Sequence, residues 1–307
     1  HKNSFLDSHD IEKKRGITVF SDQAVFDIND STYYWIDTPG HIDFSCEMER
    51  AIRIMDYAIV IVSAVEGVQG HTETVWNLLR KYKVPTFFFI NKLDRTGADL
   101  KRVLQEINNN LSKDVCFITD LEEMNEEVIE FRAEKDELLL EKYLNDEYEN
   151  NLWVNKLRDL IRENKIYPCF SGSALQDEGI REFLNVLEEL TSTNYDSSCE
   201  FSGIVNKIRY DSNGTRITFI KALSGKLKVR DEIEISKADT NIKEKISSIR
   251  IYNGNKFITV DEVEAGDVFA VTGLSTVNAG DGIGILNNKV NFNMIPTLMS
   301  SVIYDES

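Results

Sequence analysis

Two short stretches hold the residues best suited to chemistry. The first is Asp37-Thr38-Pro39-Gly40-His41, a carboxylate, a hydroxyl, a glycine and an imidazole within five positions. A carboxylate at the C-terminal end of a strand can hold Mg2+ through water. Gly40 lets the backbone approach a phosphate closely, and His41 can orient an attacking water. Upstream, Arg15-Gly16-Ile17-Thr18 offers the Thr18 hydroxyl as a Mg2+ ligand and its N–H to a terminal phosphate. The second stretch is Asn91-Lys92-Leu93-Asp94. A carboxylate accepting from both N1–H and N2–H2 selects guanine, because adenine presents a different edge. Two such charge-assisted bonds give roughly 3–6 kcal/mol of discrimination. Lys92 would pack its stem along base or ribose, and Asn91 would tie loops together. Ser173, Ala174 and Leu175, in Ser171-Gly172-Ser173-Ala174-Leu175, would complete the base pocket through a backbone N–H to guanine O6.

These residues need elements to hold them. Short apolar runs alternate with helical patterns through the first half, the signature of an α/β doubly wound sheet with right-handed crossovers. Strands are predicted over Val19–Ile28 and Thr32–Asp37, joined by a tight turn and therefore antiparallel. Tyr57–Ser63 and Pro85–Ile90 are nearly continuous apolar runs, suited to parallel strands covered on both faces. Tyr167–Ser171 is a further strand. Helices are predicted over Phe44–Ile54, Thr72–Tyr82, Asp99–Leu111 and Ile180–Leu190. The composition turns to Ser, Thr, Asn and Asp near Thr191–Ser198, which marks a domain boundary. Short β-rich runs follow, at Gly203–Tyr210, Arg216–Ala222, Glu232–Ile235, Lys245–Tyr252, Lys256–Val260 and Val268–Val271, with the spacing of a small barrel. The division expected is 1–195 for the nucleotide domain, with an acidic insert over about 114–164. The barrel follows at 196–290, and 291–307 forms a linker that includes an alternating run, Leu298–Tyr304.

The net charge of -17 disfavours a polyanion partner overall. From Asp114 to Asn150 there are 14 Asp and Glu against 3 Lys and Arg, a net of -11. This run reads as a solvated helix face, and elsewhere a local basic face for nucleic acid stays open. The cysteines (Cys46, Cys116, Cys169, Cys199) form no C-x-x-C pair, which argues against zinc or a disulfide framework and fits a reducing cytoplasm. No apolar run reaches the length of a membrane span. His1, His9 and His71 read as solvated loop residues, and Trp35, Trp76 and Trp153 as packing residues.

In order along the chain, R-G-I-T, D-T-P-G-H, N-K-L-D and S-A-L resemble the translational GTPase family. Ile36–Phe44, Glu49-Arg50-Ala51, Gly67-Val68, Thr72–Trp76 and Asp94–Asp99 are similar to elongation factor G and its relatives. Leu223–Leu227 and Ala265–Val268 resemble that family's second-domain barrel. The length between Asp94 and Ser173, with Arg230-Asp231-Glu232-Ile233, looks more like the tetracycline-resistance ribosomal protection proteins, the branch favoured. Asp94–Asp99 looks more like elongation factor G, so a translocase is the alternative. The resemblance implies GTP and GDP as ligands, Mg2+ as cofactor, GTP hydrolysis, and the ribosome, its RNA and its proteins, as partner. It implies a cytoplasmic monomer without membrane or DNA partners, and an insert that recruits a basic protein.

The family also carries G-x-x-x-x-G-K-[ST], whose backbone N–H groups and Lys hold phosphates. No Gly-Lys-Thr or Gly-Lys-Ser occurs in this sequence. Ser224-Gly225-Lys226-Leu227 is followed by the wrong residue, and Gly280-Asp281-Gly282-Ile283-Gly284 lacks a dinucleotide loop's spacing. The expectation is a fragment that lacks its phosphate loop and C-terminal domains, binds GTP poorly and acts at most as a catalytically inert ribosome-docking piece. Its parent would hydrolyse GTP.

Overall fold

The structure, a computed structural model, describes residues 6, 10–15, 17–118, 126–145, 147, 149–237 and 240–286. The run Leu298–Tyr304, the linker 291–307, Gly16 and part of the acidic insert lie outside the described residues. By contacts the chain divides into two compact units. One draws on His1–Phe26, Tyr33–Ile54 and Tyr195–Ser307, the other on Asp27–Thr32 and Met55–Asn194.

The second unit is an α/β layer. Its strands β3 (Ala58–Ser63), β4 (Thr86–Asn91), β5 (Val115–Phe117) and β6 (Tyr167–Ser171) form a parallel sheet in the order β3-β4-β6-β5. Strand β4 is central, and Phe87, Phe88, Phe89 and Ile90 are all buried, as a strand covered on both faces requires. Helices α3 (Gly70–Lys81), α4 (Leu100–Asn110), α7 (Asn150–Arg162) and α8 (Ile180–Leu190) bury Leu79, Val103, Ile107, Trp153, Leu157, Phe183 and Leu187. Asp99 caps α4, accepting from the Arg102 N–H at 3.0 Å. Arg80 stacks over Trp76 and Tyr167 and donates to Val84 O, so one guanidinium staples α3 to the strand ends. Burial pulls its pKa below the usual value. Strand β3 is an edge of this sheet, and Ile61 is 61% exposed between buried Val60 and Val62.

The acidic segment is more than a solvated face. Its described part forms α5 (Glu126–Ala133) and α6 (Glu137–Leu144), which with α7 bury Ile129, Arg132, Ala133, Leu139 and Trp153. Glu130, Glu134, Glu137 and Glu141 are exposed, and Asp136 caps α6 through the Leu138 and Leu139 N–H groups.

In the first unit, α1 (Asp10–Arg15) precedes the ribbon of β1 (Asp22–Ile28) and β2 (Ser31–Asp37). A 3-10 turn, Ile42–Phe44, leads into α2 (Ser45–Ile52). The β domain holds β7 (Ser202–Tyr210), β8 (Arg216–Ser224), β9 (Lys226–Lys228), β10 (Glu232–Lys237), β11 (Thr240–Lys245), β12 (Ser248–Asn253), β13 (Lys256–Val260), β14 (Glu262–Glu264), β15 (Val268–Thr272) and β16 (Gly282–Gly284). Six of them make an antiparallel sheet, β13-β12-β15-β8-β7-β16. Two ribbons, β10-β11 and β14-β9, add Ile233, Ile235, Val263 and Leu227 to the core formed by Val205, Ile220, Ile249, Phe269 and Val271. Among the described residues no helix is long and apolar enough to cross a membrane.

Candidate functional site

The base-reading residues converge at the C-terminal ends of β4 and β6, where an open parallel sheet presents its loops. Asn91 ends β4, and its side-chain Oδ1 accepts from the Lys92 N–H at 2.7 Å and the Ala174 N–H at 3.0 Å. One carboxamide thus joins two loops 83 residues apart. Lys92 takes a left-handed backbone, φ 68, an uncommon state for a residue with a Cβ. It turns the chain so that Leu93 N–H reaches Gly172 O at 3.2 Å. Ser173 Oγ donates to Asp94 Oδ1 at 2.6 Å, fixing the carboxylate, while Arg95 Nε lies 3.8 Å from the other oxygen. The Lys92 ammonium pairs with Glu66 at 3.4 Å.

The β6 loop is crowded for a reason. A Cβ on Gly172 would stand 2.2 Å from Glu178 O, so only glycine lets the two backbones pass. Ser173 N–H donates to Glu178 O and closes the turn. The Ala174 N–H is committed to Asn91, whereas the Leu175 N–H has no partner among the described residues. Leu175 is the donor of this loop that can face an incoming carbonyl, and its side chain is exposed.

The second group of residues belongs to the other unit. Thr18 follows α1, and Asp37 ends β2. Pro39 is buried, Gly40 and His41 are exposed, and an added Cβ at Gly40 would meet nothing within 4 Å. Nothing in the fold itself demands glycine there. His41 Nδ1 lies 3.3 Å from the Asp43 N and 3.4 Å from the Asp43 carboxylate, so the ring is held against the start of the turn. His41 O accepts from the Phe44 N–H and starts the 3-10 turn. A hydroxyl and a carboxylate, Thr18 and Asp37, are hard oxygen donors of the kind Mg2+ takes alongside its waters, so the donor chemistry fits that ion. Among the described residues no cluster of three or more His, Cys, Asp or Glu has the arrangement of a metal site.

A buried charged cluster borders Thr18, and the motifs do not include it. Glu12, 1% exposed, accepts from the Val19 and Phe20 N–H groups at 3.0 and 3.1 Å. Ser21 gives its N–H and Oγ to Glu47 of α2 at 3.4 and 3.2 Å. Lys207 of β7 donates to Ser21 O and lies 3.3 Å from Asp22 Oδ1, which Arg209 reaches at 2.6 Å. Local sequence carries little signal for it, because Lys207 sits in β7 between Asn206 and Ile208 with Arg209 close by, an ordinary mixed strand.

Comparison with known proteins gives a consistent picture. A family model described as the elongation factor Tu GTP binding domain matches residues 1–193, and one for elongation factor G domain 2 matches 200–284. The tetracycline resistance protein TetP of Clostridium perfringens is 32% identical over 94% of this chain and 47% of its own length. An oxytetracycline resistance protein of Streptomyces rimosus is 29% identical, over 98% of this chain and 49% of its own. Elongation factor G of Carsonella ruddii (strain PV) is 29% identical, over 94% and 50%. The chain therefore spans about half the length of the curated relatives it matches. A crystal structure of a protein from Thermus thermophilus has the same fold, with a TM-score of 0.82 at 21% identity, covering 96% of this chain and 51% of the other.

Proposed function

The chain belongs to the family of the elongation factor Tu GTP-binding domain, and from that premise we propose that it is the nucleotide-binding and nucleotide-hydrolysing region of a ribosome-associated GTPase. The observation that carries the reading is the paired clamp of Asn91 on Ala174 and Ser173 on Asp94. A carboxylate held by a neighbouring hydroxyl is pre-set to accept two N–H bonds from guanine, so little ordering remains for the ligand to induce. Lys92 lines the base or ribose, and Leu175 N–H meets guanine O6.

Thr18 and, through water, Asp37 would hold Mg2+, which when bound would neutralise phosphate charge. Gly40 gives the backbone access to the γ-phosphate. His41, exposed beside Gly40, orients the attacking water. The division we propose by family is 1–195 for the nucleotide part and 196–290 for the β domain, which the two matching family models support. The parent protein is a cytoplasmic monomer whose partners are ribosomal RNA and proteins, without membrane or DNA. Ribosomal protection against tetracycline is favoured by the 32% identity to a tetracycline resistance protein. The elongation factor G relative and the Asp94–Asp99 text favour translocation as the second reading.

The test uses the full-length protein with ribosomes, GTP and, in a second arm, tetracycline-inhibited translation. His41→Ala should lower ribosome-stimulated turnover by about 100-fold or more and leave GTP affinity intact. Unchanged turnover rejects the role of His41. Restored translation in tetracycline supports protection, and factor-dependent translocation without it supports the alternative.

A further inference from the structure

Strand β7 carries a device that neither the base clamp nor the His41 loop accounts for. Its pairing with β8 shifts register between Val205 and Lys207, a bulge at Asn206. The bulge re-aims the side chains that follow. Val205 and Ile208 then both face the core, while Lys207 and Arg209 both reach Asp22. Without the extra residue, strict alternation would send Lys207 to the same face as Val205.

What Lys207 meets there is the exit of the Thr18 segment. Ser21 O, Asp22 Oδ1 and the ring of Phe219, 4.5 Å from Nζ, surround the ammonium. Ser21 is in turn bonded through N–H and Oγ to Glu47, on the helix that directly follows the 3-10 turn opened by His41. Ser21, Asp22 and Lys207 are 4%, 5% and 8% exposed, so water competes little for these bonds. A buried ammonium costs desolvation, and burial pulls its pKa down to about 8, against Asp22 and Glu47 which raise it. A shape-matched apolar residue would avoid that cost. A cluster that costs stability in this way is suited to fixing geometry.

We propose that Lys207 is a positioning residue for nucleotide hydrolysis: through Ser21, Asp22 and Glu47 it holds the Thr18 segment and the helix after His41 in one register on strand β7. The inference rests on the GTPase reading above and adds a part of the β domain to its machinery. Only a ligand that engages both loops, GTP and not GDP, depends on their mutual register. Loss of Lys207 should therefore act on kcat and on GTP relative to GDP affinity, and spare GDP binding.

The experiment compares full-length wild type, Lys207→Met and Lys207→Arg. Lys207→Met leaves Asp22 paired with Arg209. It should lower ribosome-stimulated kcat about tenfold or more, the loss of a charge-assisted hydrogen bond, and reduce the GTP-to-GDP affinity ratio by a similar factor. GDP affinity should hold, the melting temperature should hold or rise because the buried charge is gone, and Lys207→Arg should restore most of the activity. Wild-type kcat and wild-type GTP preference in a folded Lys207→Met protein overturn the proposal. Should Lys207→Met fail to fold, Glu47→Met, which removes the acceptor of both Ser21 bonds, decides: the same loss of kcat with intact GDP binding supports the register, and unchanged kcat overturns it. A wild-type protein that hydrolyses no GTP would instead sink the GTPase reading, which separates the two failures.

Discussion

Replacing Asn91 by alanine removes one of the acceptors that join the two base-reading loops. Its Oδ1 takes two backbone N–H bonds, from Lys92 at 2.7 Å and Ala174 at 3.0 Å. Each neutral bond contributes about 0.5–1.5 kcal/mol net, so the pair contributes roughly 1–3 kcal/mol. Lys92 also sits in the left-handed region, which costs about 1–2 kcal/mol and is held by this bond and by Leu93 N–H on Gly172 O. Freed of Asn91, the loop can relax toward ordinary backbone geometry, and the Ala174 N–H is exposed to solvent. Amide hydrogen exchange reads this directly, without any nucleotide. In Asn91→Ala the Ala174 and Lys92 amides should exchange about 5- to 150-fold faster, while amides inside β4 stay protected. Asn91→Asp keeps an acceptor oxygen and should keep most of the protection. In full-length protein the alanine substitution should weaken GTP binding by up to that factor. A folded Asn91→Ala protein whose Ala174 amide exchanges at the wild-type rate refutes the clamp.

Other outcomes follow from the same geometry. Gly172→Ala sets a methyl 2.2 Å from Glu178 O, a backbone atom that cannot step aside; it should cost about 1–3 kcal/mol and appear as a lower melting temperature. Lys207 binds its proton less tightly folded, at about 8, than at its ordinary value of 10.5. Between those values the unfolded chain holds more protons, so stability should rise with pH by up to about 1.4 kcal/mol per unit. The gain is complete above about 10.5 and is lost as pH falls through about 8. Denaturant titrations from pH 7 to 10 should show this rise in wild type and not in Lys207→Met; equal pH profiles count against the buried charge.

Much of the fold was legible because local signals were complete. Tyr167–Ser171 and Ile180–Leu190 have the limits that their periodicity implies. Strand β1 starts at Asp22 and not at Val19, because the Val19 and Phe20 N–H groups go to Glu12, and no local pattern announces that capture. Strands β9 and β14 are three residues each, too short for alternation to register. The acidic run reads as helix from the sequence, but its charge outweighed Ile129 and Leu139, so the buried side that these residues form with Trp153 was not legible. At the site, residue types and spacing pointed to Asp94 and Asn91. The partners that hold them are 79 and 83 residues away, and pairing across such separations is a property of topology. Lys207 and Asp22 are 185 residues apart, and their meeting depends on a bulge that leaves no mark in the sequence.

For this 307-residue chain taken by itself, the edge position of β3 has a consequence in bulk. One side of this apolar strand has no ladder partner among the described residues, and Ile61 stands exposed at its middle. Such an edge is a template for another strand. A net charge of -17 keeps copies apart at low ionic strength. Salt shortens that protection to a Debye length of about 8 Å near physiological strength. Colloidal stability is then set by salt and protein concentration together, and turbidity should appear first in concentrated, high-salt samples, well below the temperature at which the core melts.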